Sequence, residues 1–399
     1  MLSSVYVVPP EMPVWEAPQG ILYDFLDGAR VYLPEREGGV WFVTLKDVDS
    51  GLIVYQNEIK TGVLKSKKRY FVRFEIKIER RSDSGDIELV FEHVLDLRDR
   101  DVVVQIPVGT IGDVFAWFPY VSRFAETSKA KVTCVLSPVL IPLFEATYPE
   151  LRLMTTAQLE AENVMSRAYA NYHMGLFFTD AENTMQPTDF RHVGLHKTAA
   201  YILGVDPVEI RPRIALEDDT RPIEEPYVCI AVQSSAQCKY WNNPTGWLEV
   251  VRHIKARGYR VICIDQKPVN GVGYVWNRIP HGAEDETGDR PLAERARWLK
   301  HAAFFVGLSS GLSWLAWAME TPVVMISGFT HPTNEFETPY RVINWHACNS
   351  CWNDPREMFD HNDFFWCPRH ANTSRQFECT RLITADQVVK IIEPLLNIE

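Results

Sequence analysis

The sequence predicts an α/β protein in which two consecutive doubly wound domains follow an all-β N-terminal region. Three observations carry that expectation: a strict apolar alternation near the N-terminus, a rhythm of strand, glycine turn and helix from about Asp101, and a second start of that rhythm near Tyr227. Standing apart from them, four of the eight cysteines fall between His346 and Thr380.

The alternation runs from Lys68 to Arg80, where Tyr70, Val72, Phe74, Ile76 and Ile78 alternate with Phe71, Arg73, Glu75, Lys77 and Glu79 as in a half-buried strand. Ser82-Asp83-Ser84-Gly85 is a turn signal, after which Ile87, Leu89 and Phe91 resume the pattern. Gly38-Gly39 and Asp49-Ser50-Gly51 mark further turns, so residues 1–98 are predicted to form a small sheet or barrel, either a structural addition or a module that handles a macromolecular partner.

In the next region Val102–Ile106 is a predicted strand, Gly109–Asp113 a turn and Val114–Ser128 a helix; Lys131–Leu136 and Leu151–Met154 are further strands. The second series runs through strand Tyr227–Val232, helix Gly246–Arg257, strand Arg260–Ile264, helix Leu292–His301 and strands Phe304–Val306 and Val323–Ile326. The Pro- and acid-rich segment Arg211–Pro226 separates the two series. Alternating strands and helices imply parallel sheets with right-handed crossovers, hence domains at 99–215 and 216–399, the latter including the cysteine segment 346–380. Ligands of such folds bind at the carboxyl ends of strands, so a cleft between these two domains is the expected site.

Composition narrows the function. The 399 residues are 46% apolar and 23% charged, and a formal charge of −11 argues against a broad nucleic-acid or anionic-membrane footprint, which needs clustered Lys and Arg. The N-terminus lacks a basic stretch followed by an apolar one, and no run of about 18 apolar residues occurs, so a cytoplasmic protein without membrane insertion is expected. In that reducing compartment clustered cysteines read as metal ligands. Cys134, Cys229 and Cys263 lie in apolar runs and read as buried hydrophobes, whereas Cys238 sits in a polar loop that does not decide its role. Cys348, Cys351, Cys367 and Cys379 have the spacing C-x2-C-x15-C-x11-C, which suits one structural metal in a closed four-thiolate site. Incidental thiols, or a ligand set drawing on His346, His361 or His370, are the alternatives. Zinc and iron suit these ligands equally. The residues between the thiols lack a long apolar period and need such a staple, with the chemistry expected elsewhere.

Three loops could carry that chemistry. Gly109-Thr110-Ile111-Gly112-Asp113 places an acid at the mouth of a helix, as a cap or as a general base toward an acceptor hydroxyl. Gln233–Trp241 holds Ser234, Ser235 and Lys239, a solvated charge or a cation for a departing diphosphate. Ser309-Ser310-Gly311-Leu312-Ser313 precedes a helical run, so its N–H groups suit phosphate oxygens, capping again being the plain alternative. No G-x-x-x-x-G-K-[ST] occurs, and Gly271-Val272-Gly273 lacks the third glycine of a dinucleotide fingerprint, which disfavours ATPases and ordinary NAD enzymes.

The stretch His301–Gly307, with Ser309–Ser313 and Thr321-Pro322-Val323-Val324, resembles the C-terminal signature of ADP-heptose-dependent glycosyltransferases of the GT-B fold. Where many lipopolysaccharide heptosyltransferases show D-S-G-x-x-H, this chain has Ser309-Ser310-Gly311-Leu312-Ser313-Trp314. Over nearly its whole length the chain is similar to the bacterial autotransporter heptosyltransferases: a β domain, two Rossmann-like domains, the G-T-I-G-D loop and a four-cysteine finger. The resemblance implies transfer of heptose from ADP-heptose to serine hydroxyls of adhesin passenger domains, by chemistry that needs no metal. It implies that Asp113 is catalytic, that Gly112, Ser234, Ser235, Lys239, Ser309, Ser310, Gly311, Leu312 and Ser313 contact substrate, and that Cys348, Cys351, Cys367 and Cys379 hold iron as Fe3+, with zinc as the alternative. It also implies a large homo-oligomer, a dodecamer. From the residues alone a lipopolysaccharide-core heptosyltransferase and a non-enzymatic metal-stapled scaffold for adhesin secretion remain open.

Overall fold

The alternating N-terminal region settles into two antiparallel sheets in the computed structural model, which describes residues 5–107 and 109–397. Strands β1 (Trp15–Glu16), β2 (Leu22–Asp24), β3 (Arg30–Leu33), β4 (Val40–Asp47), β5 (Ile53–Ile59), β6 (Gly62–Lys65), β7 (Phe74–Arg81) and β8 (Ile87–Val94) order as β1-β2-β3-β6 and β5-β4-β7-β8. Trp41, Val43 and Leu45 of β4 and Phe74, Ile76 and Ile78 of β7 fill the buried face at period two. The ladder starts later than the alternation predicts. Tyr70 and Val72 are buried, but Arg69 N donates to Thr184 O in a loop and Phe71 N to Ile202 O in helix Leu195–Leu203, so this stretch bonds outside the sheet.

A bridge between Phe25 and Ala170 joins this module to a parallel sheet. Its strands β9 (Asp101–Gln105), β10 (Lys131–Val135), β11 (Arg152–Met154) and β12 (Ala170–His173) order as β11-β10-β9-β12. Strand β12 was not foreseen, because Asn171 and His173 read as polar; both are buried, and Asn171 is held by Gln105 and the Leu26 carbonyl. Met1–Gly109, Trp117–Phe190 and Lys197–Val208 form one compact unit.

The second unit comprises Thr110–Ala116, Arg191–His196 and Glu209–Glu399. Its sheet contains β13 (Tyr227–Ile230), β14 (Arg260–Cys263), β17 (Glu284–Asp285), β18 (Phe305–Leu308), β19 (Val323–Ile326) and β20 (Arg341–Val342), all parallel in the order β17-β14-β13-β18-β19-β20; β15 (Val269–Val272) and β16 (Val275–Arg278) form a separate hairpin. Strands buried on both faces read as continuous apolar runs. That is the pattern of Val228, Ile230, Val306, Val324 and Ile326, which share one core with Val250 and Ile254 of helix Gly246–Ala256 and Val388 and Ile392 of helix Ala385–Ile392. Cys134, Cys229 and Cys263 are buried in strands, as predicted. Between His346 and Thr380 regular structure is limited to a 3-10 turn, Cys351–Asn353, and the start of the short helix Glu378–Arg381. Among the described residues no helix is long and apolar enough to cross a membrane.

Candidate active site

Asp113 lies in the first turn of helix Ile111–Ser128, and its Oδ2 accepts a 2.5 Å hydrogen bond from the Thr110 N–H. The capping alternative therefore has a geometric basis. Burial pushes the Asp113 pKa up, while the Thr110 bond and the charges of Lys239 and His361 pull it back. A carboxylate raised from its usual range is a better proton acceptor near neutral pH. If Asp113 is the base, kcat/KM falls as pH drops through its pKa, with an acid limb above that of an ordinary aspartate. Lys239→Met removes a charge that favours the ionised form, so that limb moves to higher pH; a limb that stays in place in the pH profile contradicts the assignment.

Within the second unit, Ile111 and Gly112 lie directly against Gly311 and Trp314. A Cβ on Gly112 would stand 2.7 Å from Trp314 Cδ1, so only glycine permits this approach. Ser310 is extended (φ −150°, ψ 170°) and caps helix Gly311–Ala318 without a side-chain bond; Ser313 N donates to Ser310 O, which leaves the Gly311 and Leu312 N–H groups without a partner among the described residues. Ser309 Oγ donates to the buried Glu335, whose other oxygen pairs with Arg341 at 3.0 Å. Ser313 is fully buried and donates its hydroxyl to Leu308 O, so of the five loop residues it turns its side chain inward.

The loop after β13 is fastened by Asp265, whose carboxylate accepts from Val232 N (2.8 Å) and Gln233 N (3.2 Å). Burial pushes the Asp265 pKa up to about 6 despite those two N–H groups. Ser234 accepts a hydrogen bond from Asn270 on its carbonyl (3.3 Å), and Ser235 is exposed. Sequence reasoning missed Asp265 and Glu335. The one available signal for Asp265 was an acid directly after an apolar strand; Glu335 offers none.

Lys239 lies half-buried in a 3-10 turn, Gln237–Lys239, with its Nζ 5.4, 5.9 and 5.6 Å from the ring centres of Phe329, Trp352 and Phe359. Trp352 and Phe359 belong to the cysteine segment. Gln237 N also donates to Phe364 O (2.9 Å), and Asn242 Nδ2 to Thr380 Oγ1 (2.9 Å). The cysteine segment is thus part of the wall around Lys239 and packs against one of the three candidate loops.

Cys348, Cys351, Cys367 and Cys379 line one cavity of about 20 Å3, and Cys238 is a fifth thiol on it. A Cβ on Gly328 would come within 2.8 Å of Cys379, so glycine lets that thiol's backbone approach. Among the described residues no three His, Cys, Asp or Glu side chains are drawn into a ligating group, so the expected four-cysteine metal finger appears here as thiols around a cavity. The donor set nevertheless fits a cation. Burial, then neighbouring thiols, raises the Cys351 pKa well above its ordinary value and pushes that of Cys379 up to about 12. Buried thiols that oppose one another's ionisation become thiolates when a metal ion compensates the charge.

Residues 17–82 match the family Glycosyltransferase TibC, N-terminal domain, and residues 205–357 match Glycosyltransferase family 9 (heptosyltransferase). The autotransporter heptosyltransferase BAHTCr of Citrobacter rodentium (strain ICC168) is 50% identical over 394 residues, 99% of this chain and 93% of that protein. The chain belongs to the autotransporter heptosyltransferases. This heptosyltransferase is likewise 50% identical over 393 residues to TibC of Escherichia coli O78:H11, across 98% of the chain and 94% of TibC. It is 43% identical over 390 residues, 98% of the chain and 89% of the relative, to the inactive autotransporter heptosyltransferase BimC of Burkholderia thailandensis. Its fold superposes with a TM-score of 0.91 on a crystal structure of dodecameric iron-containing TibC in complex with ADP-D-beta-D-heptose, at 49% identity over 98% of this chain and 99% of that one. E. coli ADP-heptose lps heptosyltransferase II shares the fold alone, with a TM-score of 0.51 at 12% identity over 74% of this chain and 98% of that one. This heptosyltransferase is thus a glycosyltransferase with a GT-B-like α/β fold and an N-terminal β domain.

Proposed function

We propose that this heptosyltransferase moves heptose from ADP-heptose to serine hydroxyls on the passenger domain of an autotransporter adhesin, working in the cytoplasm as a large homo-oligomer. The observation that carries this reading is the placing of a carboxylate with a raised pKa and a lysine ammonium in one site, beside a helix start with available N–H groups. Asp113 accepts the proton of the serine hydroxyl as its oxygen bonds to the anomeric carbon; the bond from that carbon to the diphosphate breaks, ADP leaves with the electron pair, and Asp113 returns the proton to solvent. Lys239 and the N–H groups of Gly311 and Leu312 stabilise the charge gathering on the diphosphate, with Ser309, Ser310, Ser234 and Ser235 as further donor contacts. Ser313 and Gly112 support the two loops from within.

Residues 1–98 serve acceptor recognition or assembly, 99–215 the acceptor side and 216–399 the nucleotide sugar. The iron of TibC supports the same metal here, held by Cys348, Cys351, Cys367 and Cys379 in a folding role; zinc is the alternative. The dodecamer of TibC supports a similar assembly.

Lys239→Met is expected to weaken ADP binding by about 1–3 kcal/mol, the range for a charge-assisted contact to a desolvated phosphate. Titration calorimetry with ADP checks this, and an unchanged affinity returns Lys239 to the solvated surface.

A further inference from the structure

The Lys239 ammonium has no hydrogen bond or ion pair among the described residues; Asp113 is within reach of its charge, and three aromatic rings lie around it. Phe359 is braced by Trp352 (ring centres 5.1 Å apart), Trp366 (4.9 Å) and His361 (4.8 Å), and Trp352 by Phe329 (5.9 Å). Trp352 Nε1 donates to Asn334 Oδ1 (3.2 Å) and Trp366 Nε1 to Met358 O (3.1 Å), which fixes both indoles. The chain then shows a repeated adjacency. Cys238 precedes Lys239, Cys351 precedes Trp352, and Trp366 precedes Cys367. In each pair the thiol lines the cavity, while its neighbour is either the caged lysine or a ring in or behind the cage.

Resting on the reading of Lys239 as a donor contact, we infer that Phe329, Trp352 and Phe359 are positioning residues for the diphosphate, forming an aromatic cage that holds the Lys239 ammonium. A carboxylate in direct contact would hold the lysine equally well, but it would neutralise the charge and repel the diphosphate at the ammonium itself; Asp113 acts on Lys239 without an ion pair. Ring faces attract the cation through their quadrupoles and leave its N–H donors for the phosphate oxygens. A long, flexible lysine otherwise loses rotamer freedom when it meets the ligand; the cage removes that cost beforehand. The cysteine segment thereby acts on donor affinity through a neighbouring side chain, without touching the donor.

The test is calorimetry of ADP on the purified, metal-loaded protein in a double-mutant cycle. Phe359→Leu keeps an apolar side chain but removes one ring face, and is expected to weaken ADP binding about three- to tenfold while elemental analysis shows unchanged metal content. Phe359→Tyr keeps the face and is expected to restore near-normal affinity. In a Lys239→Met background, Phe359→Leu is expected to have no further effect. Phe329→Leu repeats the cycle at a ring outside the cysteine segment, in case the Phe359 variant does not fold. Unchanged ADP affinity in Phe359→Leu and Phe329→Leu overturns the cage, as does a loss of the same size with or without Lys239. If Lys239→Met alone leaves ADP affinity unchanged, the donor reading fails first and the cage with it.

Discussion

Asp113→Asn is expected to leave the fold and ADP-heptose binding intact while transfer to serine falls by roughly two orders of magnitude or more, the loss that follows removal of a positioned base. The amide keeps the size of the side chain and an oxygen that accepts from Thr110 N–H, so the first turn of the helix stays closed. What it cannot do is take the serine proton. A pure cap would lose little on this substitution, so the variant separates the observed cap from the proposed base. Calorimetry with ADP-heptose and intact-mass assay of the product measure the two halves. Wild-type transfer by Asp113→Asn makes the residue a helix cap and removes the base from the mechanism.

The second large effect is on folding. Cys351→Ser or Cys379→Ser is expected to give a protein that has lost its metal and most of its soluble yield. The segment 346–380 contains little regular structure, and its buried ring cluster of Trp352, Phe359 and Trp366 is small. Structural metals bound to thiolates contribute on the order of 10 kcal/mol to folding, comparable with the about 5–15 kcal/mol net stability of a whole domain. Cys238→Ala, which changes the fifth thiol, is expected to keep stoichiometric metal, because four thiolates complete a tetrahedron. Elemental analysis and thermal unfolding of the variants decide; a stable, soluble Cys379→Ser protein with normal ADP binding contradicts the staple.

Local pattern made much of this fold legible. The apolar runs at Val102–Ile106, Tyr227–Val232 and Val323–Ile326 announce parallel strands because both of their faces are buried, and glycine turns between strand and helix locate the ligand-facing loops. Asp113 and Lys239 stood out as lone charges at strand ends. What could not be read depends on contacts between residues distant in sequence. Tyr70 and Val72 are buried like strand residues, yet their stretch bonds to a loop and a helix more than a hundred residues away. Glu335 matters only because Ser309 and Arg341 reach it, and Cys238 became a lining residue of the thiol cavity only once the finger closed over its loop. The cage has the same character: Phe329, Trp352 and Phe359 look like ordinary core aromatics until Lys239 is placed over them.

The central claim is protein heptosylation, and the most direct measurement is the intact mass of a purified adhesin passenger domain after incubation with this protein and ADP-heptose. Mass increments of whole heptosyl units are expected, located on serines by fragmentation, with one ADP released for each and with increments formed far more slowly by Asp113→Asn. A passenger domain that gains no mass while the protein binds ADP-heptose, or while it only hydrolyses it, would contradict the account and leave a scaffold that holds the nucleotide without passing on its sugar.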